Sequence, residues 1–359
     1  MNISNYNSWT VYGTNNADNI DNFMAGATVY AFGSGDLIRN FYASSSAVQG
    51  NTGKDTIYNF SENATLDGGE DDDYFGNTAS NVTILGGDGN DTVLSDPNLV
   101  LVNIQLGDGA DSITNLSNWT TIDGGDDEDI ISNYYASNVV MDGGEDSDML
   151  LNYGENVTMI GGGDNDSFYN YSSNVNISGG EGNDNIYSAV NLIYVSIDGG
   201  AGNDSINNYS SWSAFYGGAG KDTINSSSLA SYVWIDGGND DDIIENRSSN
   251  VTIDGGSGDD YIGIYGDNTT VIYYKNQGDD RIFRGYSNGS PTGGITVYFP
   301  NASIADIQSV SSTKIQFNNS SSITFSNGFN GSNSDFDKTT FRFSDNTEYI
   351  YSNGNFVQK

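Results

Sequence analysis

A six-residue turn of the form Gly-Gly-x-Gly-x-Asp recurs through this chain at near-constant spacing, and nothing else in the sequence constrains the fold as strongly. Clear copies are Gly86-Gly87-Asp88-Gly89-Asn90-Asp91, Gly179-Gly180-Glu181-Gly182-Asn183-Asp184, Gly199-Gly200-Ala201-Gly202-Asn203-Asp204 and Gly255-Gly256-Ser257-Gly258-Asp259-Asp260. Marked by their first residues, the turns begin at 13, 31, 50, 68, 86, 106, 124, 143, 161, 179, 199, 217, 237, 255 and 275, in steps of 18, 19 or 20 residues. A period of this length specifies a solenoid: one repeat is one coil, too small to bury a core alone, and stacking supplies the core.

Alternation inside the coil assigns its faces, because successive side chains of a strand point oppositely. The eighth position from each turn start is apolar in every coil, from Ile20, Ile38 and Ile57 to Ile262 and Ile282. Two more apolar columns precede the turn, one carrying Val82, Val102, Val139 and Val157, the other Leu66, Ile84, Ile104 and Ile122. Two facing parallel sheets with a narrow aliphatic core satisfy all three columns. Two residues past the eighth position stands Asn in most coils (Asn22, Asn40, Asn59, Asn77, Asn115, Asn133, Asn152, Asn170, Asn208, Asn246) or Ser (Ser95, Ser188, Ser226). The same parity turns these inward at the bend opposite the glycine turn, which predicts a stacked amide ladder. Trp119, Tyr194, Trp212 and Tyr232 occupy that bend, the two tyrosines in coils stretched to 20 residues, where other coils carry Asn63, Asn81, Asn138, Asn156, Asn174 and Asn250. Such an aromatic edge either packs on itself or serves a partner or a glycan.

The period fades after residue 284. Residues 1–284 are therefore read as the repeat domain and 285–359 as a C-terminal β capping region, with ordinary strand alternation at Ile295–Phe299, Lys314–Phe317, Ile323–Phe325, Thr340–Phe343 and Tyr349–Gly354. Seven of the 11 bases (Lys275, Arg281, Arg284, Lys314, Lys338, Arg342, Lys359) fall at this end. A less acidic module closes the solenoid, as a terminal cap must.

Charge gives the turn its chemistry. The chain has 48 acids against 11 bases, a formal net charge of -37, and its sixth turn position is Asp in all fifteen coils. Neighbouring carboxylates about 4.8 Å apart repel by roughly 0.9 kcal/mol in water and by several kcal/mol at an effective dielectric near 20. A divalent cation between adjacent turns reverses that sign, and Ca2+ fits best because it takes six to eight oxygens, backbone carbonyls included. Glycine at the first, second and fourth positions is expected to reach positive φ and turn carbonyls toward the ion. Where the fourth position is not Gly from the third turn onward, it is Asp (Asp71, Asp127, Asp146, Asp164, Asp240), which tolerates the left-handed region. The candidate calcium ligands are Asp55, Asp73, Asp91, Asp111, Asp129, Asp148, Asp166, Asp184, Asp204, Asp222, Asp242, Asp260 and Asp280. The glycines placed with them are Gly68, Gly69, Gly86, Gly87, Gly89, Gly179, Gly180, Gly182, Gly199, Gly200, Gly202, Gly255, Gly256 and Gly258. The first two turns lack most of the glycines, so Asp18 and Asp36 are left off this set.

The turn and the apolar residue that follows it resemble the Gly-Gly-x-Gly-x-Asp-x-hydrophobic-x nonapeptide of the RTX (repeats-in-toxin, hemolysin-type) calcium-binding β-roll family. Tyr273-Tyr-Lys-Asn-Gln-Gly-Asp-Asp-Arg-Ile282, followed by short β segments, is similar to the usual end of such arrays. The resemblance implies an all-β, right-handed parallel β-roll or β-solenoid, here of about fifteen coils with a small C-terminal β cap. It also implies folding on meeting extracellular calcium, and type I secretion through an uncleaved C-terminal signal. The family carries the motif in both halves of a coil, whereas the second half here reads like Asn170-Tyr-Ser-Ser-Asn-Val-Asn-Ile-Ser178. Calcium is therefore expected in one column along a single edge.

Function classes narrow accordingly. The net charge repels nucleic acid and anionic membranes, and no apolar run is long enough for a membrane span. Without Cys or His, disulfides, zinc sites and His- or Cys-based catalysis are absent. Acids recur in every coil, so no catalytic pair stands out and the chain is read as no enzyme. Residues 1–25 lack the pattern of a Sec-type signal peptide, and the repeats begin too early for a catalytic domain ahead of them. The expectation is a secreted structural protein of the cell surface, a calcium-stiffened rod on the order of 70 Å long that self-associates into a surface layer, filament, matrix or adhesive coat. The alternative is an accessory module that folds, exports or targets an associated enzyme or toxin, or binds polysaccharide.

Overall fold

The computed structural model describes residues 1–285, 294–311, 313–326, 339–352 and 355–359. These residues form parallel β-solenoid coils in two compact units, 1–178 and 179–359. Lys338 and the Asn353-Gly354 end of the last expected strand lie outside the described residues. No helix among them is long and apolar enough to cross a membrane.

In the first unit each coil contributes a four-residue strand after the glycine turn and a longer one leading into the next. The short strands, from Asn2–Asn5 and Asn19–Asn22 to Met149–Asn152 and Ser167–Asn170, pair in parallel register with one coil's offset. The longer ones do the same on the opposite side: Ile84 lies beside Leu66 and Ile104. Every eighth-position side chain is at most 1% exposed. In-register stacking of like residues suits β-branched Ile and Val, whose stiff side chains nest in the pleat.

The asparagine ladder forms at the bend after the short strand. The Asn59 amide nitrogen donates to Asn77 Oδ1 at 2.9 Å and to the Ser61 carbonyl at 3.0 Å, and its own Oδ1 accepts from Asn40 Nδ2 and from the Ser61 N–H. Asn5, Asn22, Asn40, Asn59 and Asn77 form one run, and Asn115, Asn133, Asn152 and Asn170 another. Each amide thus closes its own turn and grips the next coil, leaving a buried polar edge satisfied. The residue after the ladder amide is often aromatic, and these rings stack outside it: Tyr6, Phe23, Phe41 and Phe60 at 4.8–5.1 Å, and Tyr134, Tyr153 and Tyr171 at 5.5 and 4.8 Å.

In the second unit the same ladders run from Asn185–Ser188 and Val195–Ala201 onward. Parallel pairing outlasts the sequence period. Ile295–Phe299 continues the ladder of Thr269–Ile272, Thr340–Phe343 continues that of Ile295–Phe299, and Ser322–Phe325 pairs with Asp279–Ile282. Antiparallel hairpins then close both ladders, through Ile307–Val310 and Lys314–Phe317 on one side and Glu348–Ser352 and Asn355–Gln358 on the other. The aliphatic columns give way to buried Tyr273, Phe299, Phe317, Phe325, Phe341 and Phe343. Larger rings fill the widening end of the stack, and the hairpins occupy the strand edges.

Glycine's role in the turn differs from the expectation at one position. The second-position glycines have positive φ, and the fourth position does too, including Asp71 (78°), Asp127 (78°), Asp146 (72°), Asp164 (59°) and Asp240 (71°). The first-position glycines, Gly68, Gly86, Gly179, Gly199 and Gly255 among them, do not; sterics confine them to Gly for a different reason, given below. At the second position Gly144 sits at φ 121° and a Cβ there would meet the Gly125 carbonyl oxygen at 2.0 Å. Gly144→Ala is therefore expected to destabilise the stack by on the order of 3 kcal/mol, read as a lower denaturation midpoint in urea.

Candidate metal centre

The sixth-position aspartates form a column on the glycine edge, each at most 4% exposed. One carboxylate oxygen is committed to the fold. In the first unit Oδ1 of Asp36 accepts the backbone N–H of Asp18, Oδ1 of Asp55 that of Asp36, and the pattern repeats to Asp166; in the second unit it runs from Asp204 to Asp280, with N···O distances of 2.5–3.2 Å throughout. Hydrogen bonding to the preceding coil explains why the position is Asp and not Glu: the shorter side chain reaches one coil and no further.

The second oxygen has a different fate. Oδ2 of Asp36, Asp55, Asp73, Asp91, Asp111, Asp129 and Asp148, and of Asp204, Asp222, Asp242 and Asp260, is buried and makes no hydrogen bond among the described residues. Where the turn begins with glycine, this oxygen lies over the bare Cα of that residue. A Cβ on Gly86 would fall 2.1 Å from Asp91 Oδ2 and 2.6 Å from the Leu106 carbonyl oxygen; on Gly217 it would fall 2.3 Å from both Asp222 Oδ2 and the Gly237 carbonyl oxygen. Gly50, Gly68, Gly124, Gly143, Gly199 and Gly237 repeat the arrangement. Where the column carries Ala31 or Leu106, the side chain is accommodated and buried. The first-position glycine thus clears room for a carboxylate.

A buried oxygen acceptor beside a carbonyl oxygen of the next coil, with no donor for it, is an electrostatic liability. It shows in the acidities. Burial first, and in most turns neighbouring carboxylates second, outweigh the backbone hydrogen bond and raise the carboxyl pKa to about 6 in Asp36, Asp129 and Asp260, about 7 in Asp55, Asp91 and Asp222, and about 8 in Asp73, Asp111, Asp148, Asp242 and Asp280. Asp204 is raised for the same reason. Asp18 is the exception. The Met1 ammonium bonds its Oδ1, while Oδ2 accepts the Thr14 N–H at 2.6 Å and the Thr14 hydroxyl at 3.0 Å, and its pKa falls.

These residues fit a hard, oxygen-seeking cation. Among the described residues no three acidic side chains converge as a metal cluster, so such an ion would draw on one carboxylate per coil and complete its shell from backbone oxygens, a donor set that Ca2+ accepts. Asp36, left out by the sequence argument, has the same bonded Oδ1 and donorless buried Oδ2, with Ala31 in place of the first glycine; its signal was the invariant sixth position alone. On the opposite edge the ladder amides are paired, and among the described residues no carboxylate oxygen is left without a donor there; the Ser188 hydroxyl is a buried group on that edge without a partner. Lys54 and Lys221 pair with Asp72 and Asp241 of the following coils in exposed contacts that contribute little. Comparison with family models, curated proteins and solved structures returns no match to this chain.

Two outcomes follow. The column carboxyls are more basic folded than unfolded, where they titrate near 3.9, so their contribution is complete below about pH 4 and is lost as pH rises through 6 to 8. With chelator present, β signal in circular dichroism should therefore be highest near pH 4–5 and fall toward pH 8. Asp91→Asn removes the charge while placing a donor beside the Leu106 carbonyl. At pH 7.5 it should raise the melting temperature in chelator and lower it in millimolar Ca2+; the same sign in both would contradict the cation argument.

Proposed function

We propose that this protein is a secreted, calcium-binding structural protein of the cell surface, whose solenoid coils order when Ca2+ occupies the glycine edge. The observation that carries the reading is the asymmetry of the two edges: a buried carboxylate oxygen without a donor among the described residues in coil after coil on one side, paired asparagine amides on the other. In this reading the column from Asp36 to Asp280 supplies one carboxylate per coil, the second- and fourth-position residues shape the turn, and the ion supplies the positive charge that separates like charges.

The extracellular placement follows from supply, since a stack with this many sites fills where free calcium is abundant. It is consistent with the likeness to RTX repeats and their type I export. A structural role follows from economy. The described fold is almost entirely scaffold, and no carboxylate pair is set apart from its repeats for catalysis. Assembly into a layer, filament, matrix or adhesive coat uses the flat sheets that such coils present.

The test is a calcium titration of chelated protein at pH 7.5. Circular dichroism should show a disordered polyanion gaining β signal cooperatively, and light scattering with electron microscopy should show assemblies only above that transition. A fully ordered chelated protein would remove the calcium argument; ordered monomers at high concentration with calcium would remove the assembly argument.

A further inference from the structure

In the second unit three successive coils place Tyr194, Trp212 and Tyr232 at the same bend position, each in the left-handed backbone region that asparagine holds elsewhere. Their rings stay in solvent, at 58%, 53% and 49% exposure. Two residues on, the outward positions are Ser196, Ala214 and Trp234. Strand register sets Ala214 beside both Ser196 and Trp234, so on one side of Trp234 lie Ala214 and, one strand further, Ser196, both with small side chains, while Thr252 stands on its other side. Trp212 and Tyr232 stack at 4.2 Å and 15°, which covers one face of each. Between these walls lies a shallow, largely apolar groove of about 450 Å³, floored by the small residues. The bend aromatics therefore do not simply pack on themselves.

We propose that this groove binds a neutral polysaccharide. A pyranose ring has an apolar face of C–H groups and a rim of hydroxyls, which is the complement of an aromatic wall beside polar acceptors. The aromatic walls take the C–H face. The Ser196 hydroxyl, with Asp198 and Asp236 two residues beyond Ser196 and Trp234 on the same outward-facing strands, serves the rim. Three coils at about 4.8 Å each give the groove room for consecutive sugar units of a chain, more than one monosaccharide needs. Charge selects the class. No base lines the groove, Asp198 and Asp236 flank it, and the whole chain carries -37. Sulfated or uronate glycans are repelled.

The inference is independent of whether calcium holds the turns, and its test is run in millimolar Ca2+ so that the fold is common to every arm. Native electrophoresis through gels cast with hydroxyethyl cellulose, mannan or xylan should retard the protein in at least one. Trp234→Ala and Trp212→Ala should each weaken that retardation about tenfold, and Ala214→Trp, which fills the floor, should abolish it. Trp119→Ala, at the exposed bend tryptophan of the first unit, should leave it unchanged, with circular dichroism identical across all variants. Absence of retardation in every neutral gel, equal retardation of wild type and the groove variants, or retention only by heparin would overturn the proposal. Loss of calcium-induced β signal with retardation intact would instead count against the calcium reading alone.

Discussion

A carboxylate buried in coil after coil, one oxygen bonded to the preceding coil and the other, at Asp55, Asp91 or Asp222 for instance, without a donor among the described residues, is the interaction on which the rest of this structure depends. The bonded oxygen fixes coil spacing and register along the glycine edge. The other oxygen makes the same column a source of repulsion, because carboxylates this close and this dry cannot all be ionised without a counter-charge. Protons or a divalent cation resolve the conflict. Burial raises these carboxyls far enough that protonation relieves part of the repulsion near neutral pH; in the proposed function a divalent cation relieves the rest.

The two edges solve one problem in two ways. Any solenoid bend buries polar backbone that must be paired. On the asparagine edge an amide supplies donor and acceptor together, so Asn59 or Asn133 can bond forward, backward and to its own turn with no outside group. On the aspartate edge the side chain is acceptor-only when ionised, and pairing is left half complete. A protein built with asparagine on both edges would fold without help. In the proposed function, aspartate on one edge makes folding conditional on the medium.

Much of this was legible in the sequence because a solenoid writes its fold as columns. The eighth-position Ile column, the inward asparagines and the left-handed Asp71, Asp127, Asp146, Asp164 and Asp240 all follow from period and parity. Three things did not. Glycine at the first turn position looks the same in sequence whether it is there for positive φ or for want of a side chain, and only the seat of Asp91 over Gly86 distinguishes them. Parallel pairing beyond residue 284 was hidden because the spacing between strands ceases to be regular, while the register of Ile295–Phe299 and Thr340–Phe343 persists through phenylalanine packing. The stacked rings beside the amide ladder were hidden because the residue after the Asn varies, aromatic at Tyr134, Tyr153 and Tyr171 but Thr78, Leu116 and Arg247 elsewhere.

Diffraction from crystals grown in Ca2+ at pH 7.5, collected at a wavelength where calcium scatters anomalously, tests the central claim most directly. The account predicts a row of anomalous peaks within coordination distance of the second carboxylate oxygens, beside Asp55, Asp73, Asp91 and Asp222 among others, and none along the asparagine edge. Ordered coils with no peak beside those oxygens, or peaks on both edges alike, would contradict it.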